Sequence, residues 1–165
     1  MIKYLIFVAS LREELNNIGK MITIAERSVA GIVKHPEDSD IYINSAALNL
    51  HSFYAGLEKM FMSIAEKLDQ SVPSSGSWHL ELLKQMTFDL PSIRPPVITK
   101  RTKTLLDDYR SFRHVVRNVY TYNLDAKRVT ELVDNLPTVF AAITADLNQF
   151  FTFLDAAAQT PINDD

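Results

Sequence analysis

The feature that most constrains the fold of this chain is a long apolar stripe between Ile43 and Leu68. Apolar residues recur there three and four positions apart over about seven turns, which is the spacing of one buried face of an α-helix. The stripe consists of Ile43, Ala46, Ala47, Leu50, Phe53, Tyr54, Leu57, Met60, Phe61, Ile64 and Leu68. A start signal containing proline precedes it at 36–39, and a Ser/Pro/Gly stop signal follows it at 71–76. The pattern therefore predicts one long helix that buries a single face.

Helical spacing continues through most of the remaining chain. It predicts a helix over about 10–34, which would form an antiparallel hairpin with the helix that carries the stripe. After the Ser/Gly-rich loop, Ser77 can cap a short third helix. A proline-rich break at 90–96 interrupts regular structure, and a fourth helix is expected over about 97–120.

A fifth helix is expected to begin at Asn123 or Asp125, with Pro137 kinking or restarting it. Four Gly and seven Pro are too few for a turn-rich β-sandwich and leave room for long helices. We therefore predict an all-α, single-domain, five-helix up-and-down bundle over residues 1–159. The polar segment 160–165 is expected to be a flexible C-terminal tail.

Composition excludes several kinds of site. The chain has no Cys, which excludes a disulfide, a cysteine nucleophile and a thiolate zinc site. Its four His residues are scattered too widely in the sequence to suggest a metal cage, so we expect neither a metal ion nor a cofactor. No apolar run reaches the roughly 18 residues of a membrane span. The run at 4–9 is shorter than the roughly 7–15 apolar residues of a secretory signal. We therefore expect a cytoplasmic protein with no membrane partner.

The charge is distributed unevenly along the sequence. The net charge is −3, yet the segment from Leu90 to Arg128 contains nine basic and three acidic residues, a local charge of +6. Such a segment indicates a basic surface inside an otherwise acidic protein, although solvated helix faces also collect Lys and Arg.

The fourth predicted helix divides into two faces when each residue is rotated by about 100°. Its expected core face is Leu105, Tyr109, Phe112, Val115, Val116 and Val119. Its opposite, basic face is Lys103, Arg110, Arg113, His114 and Arg117. The planar guanidinium fork matches phosphate oxygens, so this face is predicted to bind a phosphate-bearing ligand. The alternative is that Asp107, Asp108 or acids of neighbouring helices neutralise the arginines.

The segment from Arg113 to Tyr120 resembles the signature of HEPN domains, in particular of HepT-like ribonuclease toxins. That signature is an Arg, four to six residues, a His, and often one further residue and a Tyr. The resemblance extends from about the first helix to Phe151 and includes the segments Phe53–Lys59, Val72–His79 and Tyr122–Asp125. It implies the five-helix HEPN bundle and a homodimer with the active site in the cleft between subunits.

The resemblance assigns Arg113 to the Arg position of the signature and Tyr120 to its Tyr position. The His position is occupied by Asn118, which cannot exchange a proton near neutral pH. Two ways of retaining catalysis stay open. His114 could supply the imidazole in a shifted site, or Asn118 could orient the phosphate or the 2′-hydroxyl while arginines stabilise the developing charge.

The resemblance implies metal-independent endoribonuclease activity on tRNA or mRNA within a toxin–antitoxin system. Arg113, Asn118 and His114 are then the candidate catalytic residues, and Arg110, Arg117 and Lys103 the candidate phosphate-binding residues. The implied partner is a nucleotidyltransferase-type antitoxin, which inhibits by binding or by AMPylation of Tyr120. Asn118 also leaves open a HEPN-fold binding module without catalysis. A third alternative is a plain helical bundle whose arginines are merely solvated.

Two further sites are interpreted as structural. Trp78 and His79 resemble a Trp-His pair that recurs in this subgroup, but Trp78 is expected to anchor the loop in the core and His79 to cap the helix or form a local hydrogen bond. Glu58 and Glu66 lie in the second predicted helix, and nothing in the sequence pairs them as a catalytic dyad.

Overall fold

The computed structural model describes residues 2–120 and 123–159, and these contain five α-helices and no strand. The helices are α1 (Ile2–Lys34), α2 (Ser39–Ile64), α3 (Trp78–Gln85), α4 (Lys100–Asn118) and α5 (Ala126–Gln159). A 3-10 turn, Pro36–Asp38, joins the first two, and α2 ends in a π-helical turn, Ala65–Asp69. The all-α bundle fold is therefore as the apolar spacing predicts. The proposed tail at 160–165 lies outside the described residues.

The first two helices form the expected antiparallel hairpin. The Ser28 and Ser45 hydroxyls are 2.8 Å apart, and Gly31 lies against the ring of Tyr42. Further along the pair, a Cβ on Gly56 would approach Ile18 Cγ1 to 2.8 Å, so only glycine fits there without displacement. The stripe of α2 is buried from Ala46 to Ile64 against α1, α4 and α5.

Helix α1 begins at Ile2, eight residues before the predicted start. Phe7 and Val8 are buried and continue its core face toward the N terminus, which explains the longer helix. Helix α4 begins later than predicted because Thr99 caps it, its hydroxyl accepting a hydrogen bond from the Thr102 N–H at 3.2 Å. Just before that cap, Val97 is buried in a bend, where its N–H donates to the Met86 carbonyl at 2.8 Å.

Ser77 precedes α3 as predicted, but its side chain makes no capping hydrogen bond. Asp125 caps α5, where its Oδ1 accepts from the N–H of Lys127 at 3.0 Å. Pro137 lies inside one continuous helix, so the predicted restart is wrong. Leu136 and Val139 on either side of it are buried, and the apolar face runs through the proline without a break.

The two faces of α4 differ in detail from the sequence expectation. Leu106 is fully buried although it lies outside the expected core face, and Val115, which is expected on that face, is 43% exposed. Tyr109 and Phe112 are buried as expected, and the Tyr109 hydroxyl donates to the Leu132 carbonyl of α5 at 2.7 Å. The core face of α4 is therefore centred closer to Leu106 than the sequence suggested.

The basic segment is not one continuous surface. Arg94 is only 2% exposed, and its guanidinium forms two hydrogen bonds of 2.6 Å with the carboxylate of Asp69. Arg128 pairs with Asp108 at 3.2 Å. The interpretation of the whole segment as a surface is therefore wrong for Arg94, which ties the loop after α3 to the end of α2. No helix in the described ranges is long and apolar enough to span a bilayer.

Candidate active site

A cavity of about 240 Å³ lies between the start of α3 and the outer face of α4. The loop before α3 is rich in Ser and Gly, and the Ser75 side chain fixes its conformation. The Ser75 hydroxyl accepts a hydrogen bond from the Ser77 N–H at 3.0 Å and donates one to the Glu81 carboxylate at 2.7 Å. The cavity is lined by Gly76, Ser77, His79, Leu80, Arg110, Arg113, His114 and Arg117. Three guanidiniums and two imidazoles therefore surround one small space.

One wall of this cavity contains a buried carboxylate shared by two helices. Glu58 of α2 is 5% exposed, and its Oε2 is 2.5 Å from His79 Nδ1 of α3. Its other oxygen, Oε1, is 3.1 Å from Arg113 Nη1 of α4. We call Glu58, His79 and Arg113 the shared-carboxylate triad. It connects three helices at the edge of the cavity.

The charges of the triad assign the proton on His79. Arg113 is always protonated, so the carboxylate between it and His79 is the anionic partner. His79 Nδ1 must then carry the proton and donate a hydrogen bond to the Glu58 carboxylate. Because a protonated nitrogen cannot accept, the 3.2 Å approach of Arg113 Nη1 to His79 Nδ1 is a close contact without a hydrogen bond. In the neutral ring, Nε2 is left with its lone pair.

The remaining arginines of the cavity differ in their partners. Arg110 Nε donates to Asp107 Oδ1 at 2.8 Å, within the same helix. Arg117 is exposed and pairs with no carboxylate in the part of the chain that the structure describes. The alternative of neutralisation by acids therefore applies to Arg110 and Arg113 but not to Arg117. Anion-binding capacity remains at Arg117 and at the terminal nitrogens of Arg110.

Asn118 and His114 occupy the end of α4. The Asn118 amide donates to the His114 main-chain carbonyl at 2.7 Å, and its Nδ2 is 3.4 Å from the His114 Nδ1 atom. Asn118 does not line the cavity, whereas the exposed His114 does. Tyr120 lies two residues after the helix and is 74% exposed. The catalytic roles proposed for these side chains stay predictions.

A family model for HepT-like proteins matches residues 45–154, which are 110 of the 165 residues. The chain belongs to the HepT-like family. The match confirms the resemblance, runs from within α2 to within α5 and includes every residue that lines the cavity. This family is one of HEPN-type toxin or ribonuclease modules and is associated with toxin–antitoxin partners. No curated protein and no solved structure matches the chain significantly.

In this HepT-like protein Lys103 does not line the arginine cavity. It lies in a wider neighbouring groove of about 940 Å³, together with Lys84, Lys100 and the partly exposed ring of Phe88. Leu80 borders both spaces, so the groove adjoins the cavity. Lys84 and Lys100, which the sequence did not indicate as phosphate-binding residues, thus line the same groove as Lys103.

Two residues of the HepT-like site were assigned no chemical role from the sequence, Glu58 and His79. A signal for Glu58 was present, because it lies on the apolar stripe of α2, four residues after Tyr54 and three before Phe61. A charged residue on a buried helix face needs a partner. His79 was expected to bond locally, and it instead bonds to a residue 21 positions away.

The same electrostatic environment acts on two neighbours of the triad in α2. Burial, then the charge of Glu58, raises the pKa of the Tyr54 hydroxyl, so this phenol stays protonated. Burial lowers the pKa of His51 from its ordinary value of 6.5, and the nearby Arg113 and Arg117 lower it further against the opposing effect of Glu58. His51 Nδ1 is buried, and no group of the described residues forms a hydrogen bond with it. His51 is therefore held as the neutral ring.

We expect His51 to make the folded state less stable as the pH falls. Because its pKa is lower in the folded than in the unfolded chain, the unfolded chain binds more protons below pH 6.5. The contribution of neutral His51 to the free energy of unfolding is thus fully present above about pH 6.5. It is lost as the pH falls toward the pKa that His51 has in the folded chain. Urea unfolding between about pH 8 and pH 5 should show a smaller decline in His51→Gln than in wild type. His35→Gln, at an exposed histidine, is the matched control, and equal declines in all three proteins would contradict the prediction.

Proposed function

We propose that this HepT-like protein is a metal-independent endoribonuclease and the toxin component of a toxin–antitoxin system, acting on tRNA or mRNA. The observation that carries this proposal is the cavity in which Arg110, Arg113 and Arg117 meet two imidazoles. Guanidinium groups bind phosphate and stabilise the charge that develops on it during cleavage. Membership in the HepT-like family supports ribonuclease chemistry as the proposed class of reaction.

Within the cavity the scissile phosphate is held by Arg117 and the terminal nitrogens of Arg110, of which Nη2 also donates to the Ser111 hydroxyl at 3.4 Å. Arg117 has no carboxylate partner among the described residues, so binding of an anion there costs no existing ion pair. Arg113 is the arginine of the family signature, but Glu58 already holds it. Its role is to position the triad at the back of the cavity.

The groove that contains Lys103 extends this site along an RNA chain. Lys84, Lys100 and Lys103 give it positive charge, and Phe88 is a partly exposed ring on which a base can stack. We assign Lys103 to a flanking phosphate rather than to the scissile one. The groove adjoins the cavity at Leu80, so one strand can contact both.

The partners follow from the family association. A homodimer would bring two such cavities together, and a nucleotidyltransferase-type antitoxin would inhibit by binding or by AMPylation of Tyr120. The exposure of Tyr120 at the end of α4 supports accessibility to a modifying enzyme. An added phosphodiester there would place negative charge close to the α4 arginines and compete with RNA.

Purified protein freed of any partner should cleave tRNA or mRNA in the presence of EDTA. We expect Arg117→Ala to weaken RNA binding about tenfold or more, because a charge-assisted phosphate contact is lost. The slope of log affinity against log salt should also fall by about one unit. Arg27→Ala removes an exposed arginine of α1 that does not line the cavity, and it should bind like wild type. Intact RNA after prolonged incubation with wild type would refute the nuclease proposal.

A non-catalytic HEPN-fold binding module is the second candidate, and Asn118 is the observation that favours it. Its side chain bonds to the main chain of its own helix and presents no proton-transfer group to the cavity. If this candidate is correct, wild type binds RNA or a partner without cleaving, and cleavage appears only in Asn118→His.

A further inference from the structure

We propose that His79 is the general base of the cavity and that Glu58 is its positioning residue. This inference rests on the proposed ribonuclease function and names the group that transfers the proton. The signature position for that group is occupied by Asn118, on α4. In this chain the imidazole is instead supplied by α3, from the opposite wall of the same cavity.

The first argument is the orientation of the His79 ring. Its Nδ1 is fixed on a carboxylate that is 5% exposed, and the Trp78 ring lies over it with ring centroids 3.5 Å apart. These contacts select one tautomer and one ring position. None of the described residues forms a hydrogen bond with Nε2, the nitrogen that carries the lone pair. A base held by a carboxylate on one nitrogen and unoccupied on the other is the arrangement that general-base catalysis needs.

The second argument is the comparison with His114, the other imidazole of the cavity. His114 is exposed, and the groups near its ring nitrogens are those of Asn118, at 3.4 and 3.5 Å. No carboxylate pairs with it in the described chain, so no anionic partner fixes its ring as Glu58 fixes that of His79. By contrast, the His79 side chain is 28% exposed, which is enough to contact a ligand, while its Nδ1 edge is enclosed by Glu58.

The third argument is the placement of positive charge. His79 lies on the α3 wall, and Arg110 and Arg117 lie on the α4 wall. A phosphate bound to those arginines therefore faces the imidazole across the cavity. A substrate with a 2′-hydroxyl next to that phosphate brings an acidic proton to the same space. The site is thereby suited to RNA and unreactive toward DNA.

The reaction then balances as follows. His79 Nε2 takes the proton of the 2′-hydroxyl, and the 2′-oxygen forms a bond to phosphorus. The bond from phosphorus to the 5′-oxygen breaks, and that oxygen takes a proton from water. The hydroxide that remains recovers the proton from the imidazolium. The products are a 2′,3′-cyclic phosphate and a 5′-hydroxyl, and Arg110 and Arg117 stabilise the charge on the phosphoryl oxygens between these steps.

Cleavage of labelled RNA in EDTA by folded variants tests the assignment. His79→Gln should slow single-turnover cleavage by about 10²–10⁴-fold, the usual contribution of general acid–base catalysis, and flatten the rise of rate with pH. Glu58→Gln should slow cleavage by more than about tenfold, because the His79 ring is then no longer fixed in the Nδ1-protonated tautomer. His114→Gln should reduce the cleavage rate less than His79→Gln does. His35→Gln, at an exposed histidine outside the site, should cleave at the wild-type rate. Wild-type rates in His79→Gln would overturn the inference and leave the ribonuclease proposal standing.

A measurement without catalysis separates the two proposals further. In ¹⁵N NMR of wild type with labelled histidines, His79 should carry its proton on Nδ1, and added inorganic phosphate should shift Nε2. The Nδ1 preference should weaken in Glu58→Gln. A proton on Nε2 in wild type would overturn the role of His79 whatever the activity. An inactive wild type with the Nδ1 tautomer would instead refute the ribonuclease function and leave only an oriented imidazole.

Discussion

Replacing Asp69 with alanine is expected to lower the free energy of unfolding by about 3–5 kcal/mol, the usual cost of removing one member of a buried ion pair. Its carboxylate is the only anionic partner of Arg94 among the described residues, and the Arg94 side chain is completely buried. The remaining bonds of Arg94, to the carbonyls of Phe88, Pro95 and Gln85, do not balance its charge. The melting temperature should fall by roughly 6–20 °C, at about 2–4 °C per kcal/mol for a domain of this size.

Asp134→Ala is the matched control for this substitution. Asp134 is exposed on α5 and forms no ion pair in the described structure, so its loss should change stability by less than about 0.5 kcal/mol. Chemical and thermal unfolding followed by circular dichroism measure both variants. Equal melting temperatures for Asp69→Ala and Asp134→Ala would show that the buried pair contributes nothing net to stability.

Replacing Arg113 with methionine is expected to cost about 3 kcal/mol of stability, the lower end of the range for a broken buried pair. The side chain of Arg113 is 17% exposed and that of Glu58 only 7%, so solvent cannot readily replace the lost cation. Arg117→Met removes the same functional group one turn further along α4, at an exposed position, and should cost less than about 0.5 kcal/mol.

A double-mutant cycle with Glu58→Gln isolates this interaction. The Glu58→Gln/Arg113→Met protein should be less destabilised than the sum of its two single variants, because neither charge is then left alone. Strict additivity in urea unfolding would show that the two side chains do not interact. The outcome also bears on activity measurements. A loss of cleavage in an Arg113 variant reports on folding as well as on chemistry, whereas Arg117 variants report on the ligand.

The sequence allowed the helix order to be predicted because each helix carries its own apolar periodicity. The stripe of α2 and the cap at Asp125 are local signals of that kind. The errors concern features that depend on tertiary packing. The core face of α4 is centred on Leu106 because α2 and α5 pack against that helix. Pro137 is tolerated inside α5, where Leu136 and Val139 on either side of it are buried.

Only the part of the candidate site that lies on α4 could be predicted from the sequence. The positions of Arg110, Arg113, His114 and Arg117 on the outer face of α4 follow from helical geometry, and the structure brings all four to one cavity. The pairing of Glu58 with His79 does not follow from periodicity, because it joins two helices separated by a loop. Likewise, Asp69 and Arg94 are 25 positions apart, and no local pattern marks them as partners.

The shared carboxylate also bears on how such a protein can change over generations. Glu58, His79 and Arg113 depend on one another, so a substitution at one of them should survive only when the others change with it. Arg110, Arg117 and His114 lie nearer the solvent and can vary singly without unfolding the bundle. We therefore expect relatives to diverge first in the ligand they select, along the α4 wall, and to retain or lose the inner three residues as a set.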